Sequence, residues 1–217
     1  MRGSSAASAE ISQRSLSRRA PPQLGGRQTH NSGNNKVDIE IMTCPGIQFV
    51  SRGEWEAKAP IDVEYLSAAV GLVFYHHTEG HECYSRENCS KTVQHWQDYH
   101  QKTKRWFDIA YQYLVGGDGA VYVGRGFGVV GAHTLAYNYK SVSFGFIGNF
   151  TYHAPTEEML TTAENLIDCG IRLGKILANY TLHGQRDANN RDCPGEAFYK
   201  RMTEFSRFRG RLTPYID

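Results

Sequence analysis

The sequence lacks any long hydrophobic run. None of its apolar stretches approaches the ~20 residues that a helix needs to cross a bilayer, and the first thirty residues contain no apolar core like that of a signal peptide. The sequence therefore predicts no membrane-spanning segment, and we recognise no targeting signal in it.

Net charge is nearly absent as well. The 24 Lys and Arg residues are balanced by 22 Asp and Glu, which leaves a formal charge of only +2. No general electrostatic field would draw such a chain to nucleic acid or to an anionic membrane. Nucleic acid is therefore not an expected partner, and any cationic groups that matter must act locally.

Cysteine is scarce, and its count of five is odd. Cys83 and Cys89 enclose a short polar segment, a spacing that suits a loop-closing disulfide better than a metal site. A bridge from Cys44 to Cys169 would tie the start of the ordered chain to a core helix. Cys193 is then left unpaired. Disulfides require an oxidising compartment, so we expect an extracellular protein, either secreted or the ectodomain of a membrane receptor.

Composition divides the chain into two parts. Residues 1–38 are rich in Ser, Arg, Gly, Asn and Gln and contain almost no large apolar residues, which is typical of a disordered tail or leader. Residues 39–217 have enough apolar and aromatic residues for one domain. Asn149 and Asn179 each begin an Asn-x-Thr triplet, which is consistent with a secreted glycoprotein.

Strand and helix patterns alternate along the domain. Residues 70–75 form a short apolar run of strand length, and the three-residue spacing of Val93, Trp96 and Tyr99 predicts an amphipathic helix over 90–104. A glycine turn joins strands 111–115 and 120–123 into a β-hairpin. We further predict a strand over 141–150, a helix from the cap Thr156 to about residue 177, a strand over 180–183 and a last helix from Pro194. The pattern predicts a single α/β domain.

Three distant regions carry residue types suited to chemistry. His76 follows the first strand, Tyr111 opens the hairpin, and unpaired Cys193 ends a polar stretch. Catalytic zinc commonly takes three protein ligands, of which His76 and Cys193 would supply two, with His183 or Gln185 as the candidate third. From spacing alone a structural role is the commoner one, because strand-end histidines and lone cysteines usually serve packing or hydrogen bonding.

Seven ordered segments carry a family resemblance. They are VFYHHT (73–78), WFDIAY (106–111), VGGDG (115–119), GRGF (124–127), GAHT (131–134), FIGN (146–149) and CPG (193–195). Together they resemble the peptidoglycan recognition proteins, relatives of phage-type N-acetylmuramoyl-L-alanine amidases, over roughly residues 44–207. The resemblance implies a central, mostly β sheet flanked by helices, and disulfides at Cys83–Cys89 and Cys44–Cys169.

The resemblance also implies a zinc centre, from which this chain departs. In catalytic members the positions of His76, Cys193 and a second histidine bind zinc, which polarises the lactyl amide and activates water, while the position of Tyr111 assists. Here Gln185 stands at the second histidine, and a neutral amide is the weaker zinc ligand. Arg191 replaces the usual Thr or Lys, so its catalytic role is doubtful. We expect zinc binding to be weak or absent.

The family's ligand groove maps onto further positions. They are His76, His100, Arg105, Trp106, Tyr111, Arg125, His133 and Asn138. Arg125 could pair with the extra carboxylate that distinguishes diaminopimelate from lysine, and Trp106 also resembles diaminopimelate-preferring members. Arg105 matches neither usual pattern, and its bulk could reshape the pocket floor.

Three hypotheses follow. The chain is a non-catalytic receptor for peptidoglycan fragments, an active zinc amidase, or an interaction module that binds another immune protein. Gln185 favours the receptor over the amidase. Self-association on ligand and an immune signalling partner are compatible with the resemblance.

Overall fold

One mixed sheet of six strands forms the centre of the domain. The computed structural model describes residues 44–217, so the expected tail, 1–38, and residues 39–43 of the expected domain lie outside the described residues. The strands lie in the order β1-β4-β3-β5-β2-β6, and all neighbours are parallel except the antiparallel β3–β4 hairpin. Their bounds are Phe49–Val50 (β1), Val70–His77 (β2), Tyr113–Val115 (β3), Val121–Val123 (β4), Ser141–Phe146 (β5) and Ile176–Gly184 (β6).

Within residues 44–217, three α-helices flank the sheet. They are Arg86–Asp98 (α1), Glu157–Arg172 (α2) and Glu196–Met202 (α3), and α1 continues into a π-helical turn, Tyr99–Thr103. The predicted cap of α2 is confirmed, because the Thr156 hydroxyl accepts the N–H of Met159. The α/β class and the hairpin are confirmed as well.

Several predicted boundaries were wrong. The helix expected from residue 90 begins at Arg86, where Ser85 caps it. The helix expected to reach residue 177 ends at Arg172, because Gly174, with a φ of +65°, turns the chain into β6. Strand β6 is consequently longer than predicted, and β5 ends at Phe146 instead of residue 150.

Side-chain alternation divides the core between the two faces of the sheet. Val73 and Tyr75 of β2 pack with α2 and α3, in a cluster that includes Phe144, Leu166 and Phe198. The opposite face packs against α1 and the loop before β3, in a cluster centred on residues such as Trp55, Val93, Ile109, Leu114 and Tyr122. Strand β2 therefore presents Phe74 and His76 away from α2, on the face where the candidate site lies.

Both expected disulfides are present, at Cys44–Cys169 and Cys83–Cys89, and Cys193 is free. The first links the start of the described chain to α2, and the second closes the loop that contains Ser85. Across residues 44–217, no helix combines the length and the apolar character required to cross a membrane.

Candidate functional site

The site is centred on the last residues of β2. His76 pairs with Gly145 of the neighbouring strand, and its Nδ1 lies 3.4 Å from Cys193 Sγ. Cys193 also lies 3.9 Å from the carbonyl oxygen of His77. Two residues 117 positions apart in sequence are thus in contact, as expected for the two zinc-ligand positions.

A second histidine holds the other edge of the His76 ring. His76 Nε2 lies 3.2 Å from His133 Nδ1, and His133 Nδ1 lies 2.9 Å from the Thr134 hydroxyl. Asn138 fixes this loop, since its side-chain oxygen accepts the backbone N–H groups of both His133 and Thr134 at 2.9 Å. The histidine pair is therefore a rigid part of the wall.

Gln185 lies beside this pair. Tyr75 is in register with Gly184, the last residue of β6, and Gln185 follows it as the first residue of a short 3-10 helix, Gln185–Asp187. Desolvation lowers the pKa of His76, and the Gln185 side chain opposes that shift only in part, as a hydrogen-bond partner of the ring. An amide thus stands where the family resemblance implies a second histidine.

The donor set fits zinc only in part. A tetrahedral ion with typical Zn–S and Zn–N bonds holds its sulfur and nitrogen about 3.6 Å apart, and the His76–Cys193 distance of 3.4 Å is close to that separation. Within residues 44–217, however, no three His, Cys, Asp or Glu side chains are grouped to hold a metal ion. The third donor could only be the neutral amide of Gln185, so the residues present do not form a usual catalytic zinc site.

His183 is an unsuitable substitute. Its Nδ1 lies 2.8 Å from the carbonyl oxygen of Gly210, and its Nε2 lies 2.8 Å from the Thr181 hydroxyl. Both ring nitrogens are therefore engaged. Its ring packs on Phe74, which is two residues before His76 and on the same face of β2.

Aromatic rings build the wall beside the centre. Trp106 stacks on His100 with ring centroids 5.0 Å apart and planes 21° apart, and His100 Nδ1 accepts the N–H of Ala110. The Tyr111 ring meets His76 at 5.5 Å. Its position depends on Gly145, because a Cβ there would lie 2.9 Å from the Tyr111 ring. The glycine thus lets the tyrosine lie against the strand.

Burial keeps these groups neutral. Desolvation lowers the pKa of His76 to about 3 and that of His100 to about 4, and it lowers the pKa of His133 well below its usual value. It also raises the pKa of Cys193 to about 12 and raises that of Tyr111. In this structure the centre therefore contains neutral imidazoles, a thiol and a phenol at neutral pH.

Two adjoining cavities open onto these residues. The smaller, of about 410 Å³, lies over the centre, and the larger, of about 810 Å³, lies beside the Trp106 wall. Tyr111, Gln185 and Cys193 are among the residues lining the first, and the second is lined by Trp106, His133, Asn138, Gln185 and Arg191 among others. The structure thus brings most of the predicted site residues to one groove.

Five predicted residues line neither cavity: His76, His100, Arg105, Arg125 and His183. His76 and His100 are buried behind the wall and support it. The Arg125 guanidinium donates to three backbone carbonyls, those of Asp108, Ile109 and Val130, at 2.6 to 3.3 Å, so two of its five N–H groups remain.

Arg105 is exposed and does not form a pocket floor, contrary to the expectation from its bulk. Its backbone has a φ of +60°, in the left-handed region that favours Gly or Asn.

Sequence reasoning missed several groove residues. Lys104 lines both cavities and lies over the Tyr99 ring, and His77, Glu79 and Trp96 line the smaller one. His77 could have been found, since it adjoins His76 at the same strand end. Nothing in its spacing distinguished Lys104 from an ordinary surface lysine.

Comparison with known proteins identifies the scaffold. The family model described as N-acetylmuramoyl-L-alanine amidase matches residues 66–196. The chain is 38% identical over 162 residues to Peptidoglycan-recognition protein LB of Drosophila melanogaster, covering 74% of this chain and 70% of that protein.

Two solved structures are also similar to it. One is a mutant of Drosophila PGRP-LB in complex with tracheal cytotoxin, at a TM-score of 0.73 and 37% identity, covering 74% of this chain and 96% of that one. The other is PGRP-LE in complex with tracheal cytotoxin, a monomeric diaminopimelic acid-type peptidoglycan. Its TM-score is 0.73 at 34% identity, covering 75% of this chain and 96% of that one.

Proposed function

The chain belongs to the peptidoglycan recognition protein family, and on that premise we propose that it is an extracellular pattern-recognition protein of innate immunity that binds bacterial muropeptides. We further propose a preference for the diaminopimelate type and an amidase centre that binds zinc weakly and cleaves little or nothing.

The groove supports the binding part of this proposal. A peptide stem needs apolar walls and a few directed hydrogen bonds, and the cavities offer Trp106 as a wall with the side chains of Asn138, Gln185 and Asn189 as polar contacts. The two solved structures described above contain tracheal cytotoxin and have this fold, which makes a muropeptide the natural ligand to test.

The diaminopimelate preference is supported by cations near the groove. Lys104 and Arg191 line the larger cavity, and Arg125 lies behind the wall with two N–H groups to spare. A guanidinium or an ammonium can hold the additional carboxylate that a lysine stem lacks.

Gln185 carries the proposal of a weak or inactive centre. His76 and Cys193 are correctly spaced, but the amide beside them is a weaker zinc donor than the imidazole that the family resemblance implies. The spacing of that pair is also the observation that favours the second candidate, an active zinc amidase.

Secretion and glycosylation belong to the same proposal. The two disulfides suit an oxidising compartment, and both Asn149 and Asn179 are exposed, so a glycan could be attached at either without unfolding.

One experiment separates the candidates. The natural chain is titrated with a diaminopimelate muropeptide and with its lysine counterpart, with and without added Zn²⁺. The ligand is then recovered, and its mass is measured by mass spectrometry. We expect tighter binding of the diaminopimelate form and recovery of intact ligand. Release of the peptide stem would establish the amidase instead, and failure to bind either muropeptide would favour the protein-interaction hypothesis.

A further inference from the structure

One carboxylate faces the smaller cavity of the groove. Among the described residues that line this cavity, Glu79 is the only acidic one, and it does not line the larger cavity. Its side chain is 70% exposed, and in the part of the chain that the structure describes it forms no ion pair with a lysine or an arginine. A negative charge without a cationic partner is therefore available to a ligand in the smaller cavity.

A buried histidine lies beside this carboxylate. His77 Nδ1 accepts the N–H of Phe150, so the proton of a neutral ring is on Nε2. Nε2 is buried and has no hydrogen-bond partner within residues 44–217, and Glu79 Oε1 lies 3.7 Å from it. A donor at this position attracts one carboxylate oxygen and leaves the second oxygen to a ligand. His77 is thus a positioning residue for Glu79.

The backbone at Glu79 is held in an unusual conformation. Its φ is +62°, in the left-handed region that is costly for a glutamate, and Gly80 follows with a φ of +72°. Thr78 anchors this turn, because its N–H donates to the Phe146 carbonyl and its hydroxyl accepts the N–H of Gly148. A strained residue that its surroundings hold in place is characteristic of functional sites.

The charge of Glu79 also reaches the centre of the site. Desolvation is the main cause that raises the pKa of Cys193 and of Tyr111, and the charge of Glu79 adds to the rise in both. On the proposed function, the peptide stem occupies the larger cavity and the lactyl amide lies at the centre. The muramic acid ring then lies in the smaller cavity, within reach of Glu79.

We propose that Glu79 makes the groove prefer muramic acid whose 2-amino group is free, as in N-deacetylated glycan. This inference rests on the proposed function. The 2-amino group is attached to the ring carbon next to the one that carries the lactyl ether, so it lies within a few bonds of the lactyl amide. As an ammonium ion it can donate charge-assisted hydrogen bonds to a carboxylate, which an acetamide cannot do.

The free amine of a stem residue fits the position of Glu79 less well. In both diaminopimelate and lysine stems this amine belongs to the third residue. At 3.3–3.6 Å per residue, the third residue of an extended stem lies about 10 Å from the lactyl amide. The amino sugar is therefore the source of the cation that the geometry favours.

The test compares two muramoyl tripeptides that differ only at the 2-amino group, which is acetylated in one and free in the other. Binding is measured by calorimetric titration at neutral pH, where most of the free amine is an ammonium ion, with a chelator present so that neither ligand is cleaved. The variant is Glu79→Gln, which keeps the size of the side chain. Glu56→Gln is the matched control, because Glu56 is an exposed glutamate with a φ of +58° that lines neither cavity.

We expect the natural chain and the Glu56→Gln variant to bind the free-amine ligand about three- to tenfold more tightly than the acetylated one, a modest preference because Glu79 is largely exposed. Added salt should reduce this preference. Glu79→Gln should abolish it and change the binding of the acetylated ligand by less than about twofold, since an acetamide forms no ion pair with Glu79.

The other outcomes separate this inference from the proposed function. Equal binding of the two ligands by the natural chain, or weaker binding of the free-amine ligand, would overturn the inference and leave the proposed function standing. Failure to bind either ligand would overturn both. A similar loss for both ligands in Glu79→Gln would overturn the inference and assign the carboxylate to an amine of the stem.

Discussion

The two sides of the groove differ in how completely they are built. On the Trp106 side each ring has a partner: His100 stacks beneath the indole, Gly145 leaves room for Tyr111, and Asn138 fixes the loop of His133. On the opposite side, His76 and Cys193 stand at zinc-ligand distance with an amide where a third strong donor belongs. If the proposed function holds, a change at Gln185 can impair the zinc centre while the Trp106 wall is kept.

The largest expected effect comes from restoring a histidine at position 185, beside His76 and Cys193. Gln185→His should raise zinc affinity at least a hundredfold and produce release of the peptide stem, because it supplies the missing imidazole beside His76 and Cys193. Zinc content after dialysis and cleavage of a diaminopimelate muropeptide are the measurements.

The double variant Gln185→His with Cys193→Ala is the control for that repair. It should lose both gains, since only two donors remain. A natural chain that already holds stoichiometric zinc would contradict the contrast between the two sides.

The second prediction concerns a substitution on the Trp106 side of the groove. Trp106→Ala should weaken muropeptide binding by tenfold or more, about 1.4 kcal/mol or above, because the wall of the larger cavity and the His100 stack are lost together. Calorimetric titration measures it. Phe107→Ala is the matched control, as Phe107 is the next residue but lines neither cavity; equal losses in both variants would remove Trp106 from the binding surface.

The third prediction concerns the loss of stability at acidic pH, which involves buried histidines on both sides of the groove. Burial depresses the folded-state pKa of His76 to about 3 and those of His77 and His100 to about 4, so the unfolded chain binds more protons as the pH falls below about 6.5. The stability that these neutral rings contribute is complete above that pH and is lost toward their folded pKa values. We expect the melting temperature to drop by several degrees between pH 7.5 and pH 5.

Single substitutions show which side the acid sensitivity comes from. His100→Gln should reduce the drop, whereas His81→Gln, at an exposed position outside the groove, should leave it unchanged. A drop that neither variant alters would place the acid sensitivity elsewhere.

The smallest effect concerns the turn that leads into the intact side. Arg105 has a φ of +60°, so Arg105→Gly should stabilise the domain by about 0.5–1 kcal/mol and raise its melting temperature by roughly 1–4 °C. Lys104→Gly is the matched control, because Lys104 has a φ of −81° and gains no such relief. A destabilised Arg105→Gly variant would mean that the arginine side chain, not the backbone, matters there.

Much of the fold was predictable because it is locally encoded. The Thr156 cap and the glycine turn of the hairpin act within a few residues, and both are confirmed. Strand β1 was not predictable, since two residues, Phe49 and Val50, acquire their conformation only by pairing with β4. The predicted end of α2 was wrong because the apolar helical spacing was extended past Gly174 to about Leu177, whereas the helix ends at Arg172.

Residues could be assigned to the site from the sequence only where a family motif contains them. The contact of His76 with Cys193 follows from the family pattern, and the structure places them together. The engagement of Arg125 by three carbonyls, and of both nitrogens of His183, depends on loops brought in from elsewhere in the fold. No local pattern in the sequence contains that information.

The way the sheet ends limits how copies of this chain could assemble. Strand β1 has only two residues, and the outer side of β6 is closed around Leu182 by the segment at Phe208. Within residues 44–217, the stretch of β6 before Leu182 has no strand on its outer side; it includes Asn179, where a glycan, if one is attached, would obstruct an incoming strand. Backbone pairing between two copies is thereby blocked along much of the sheet boundary, and any self-association is expected to proceed through side-chain surfaces.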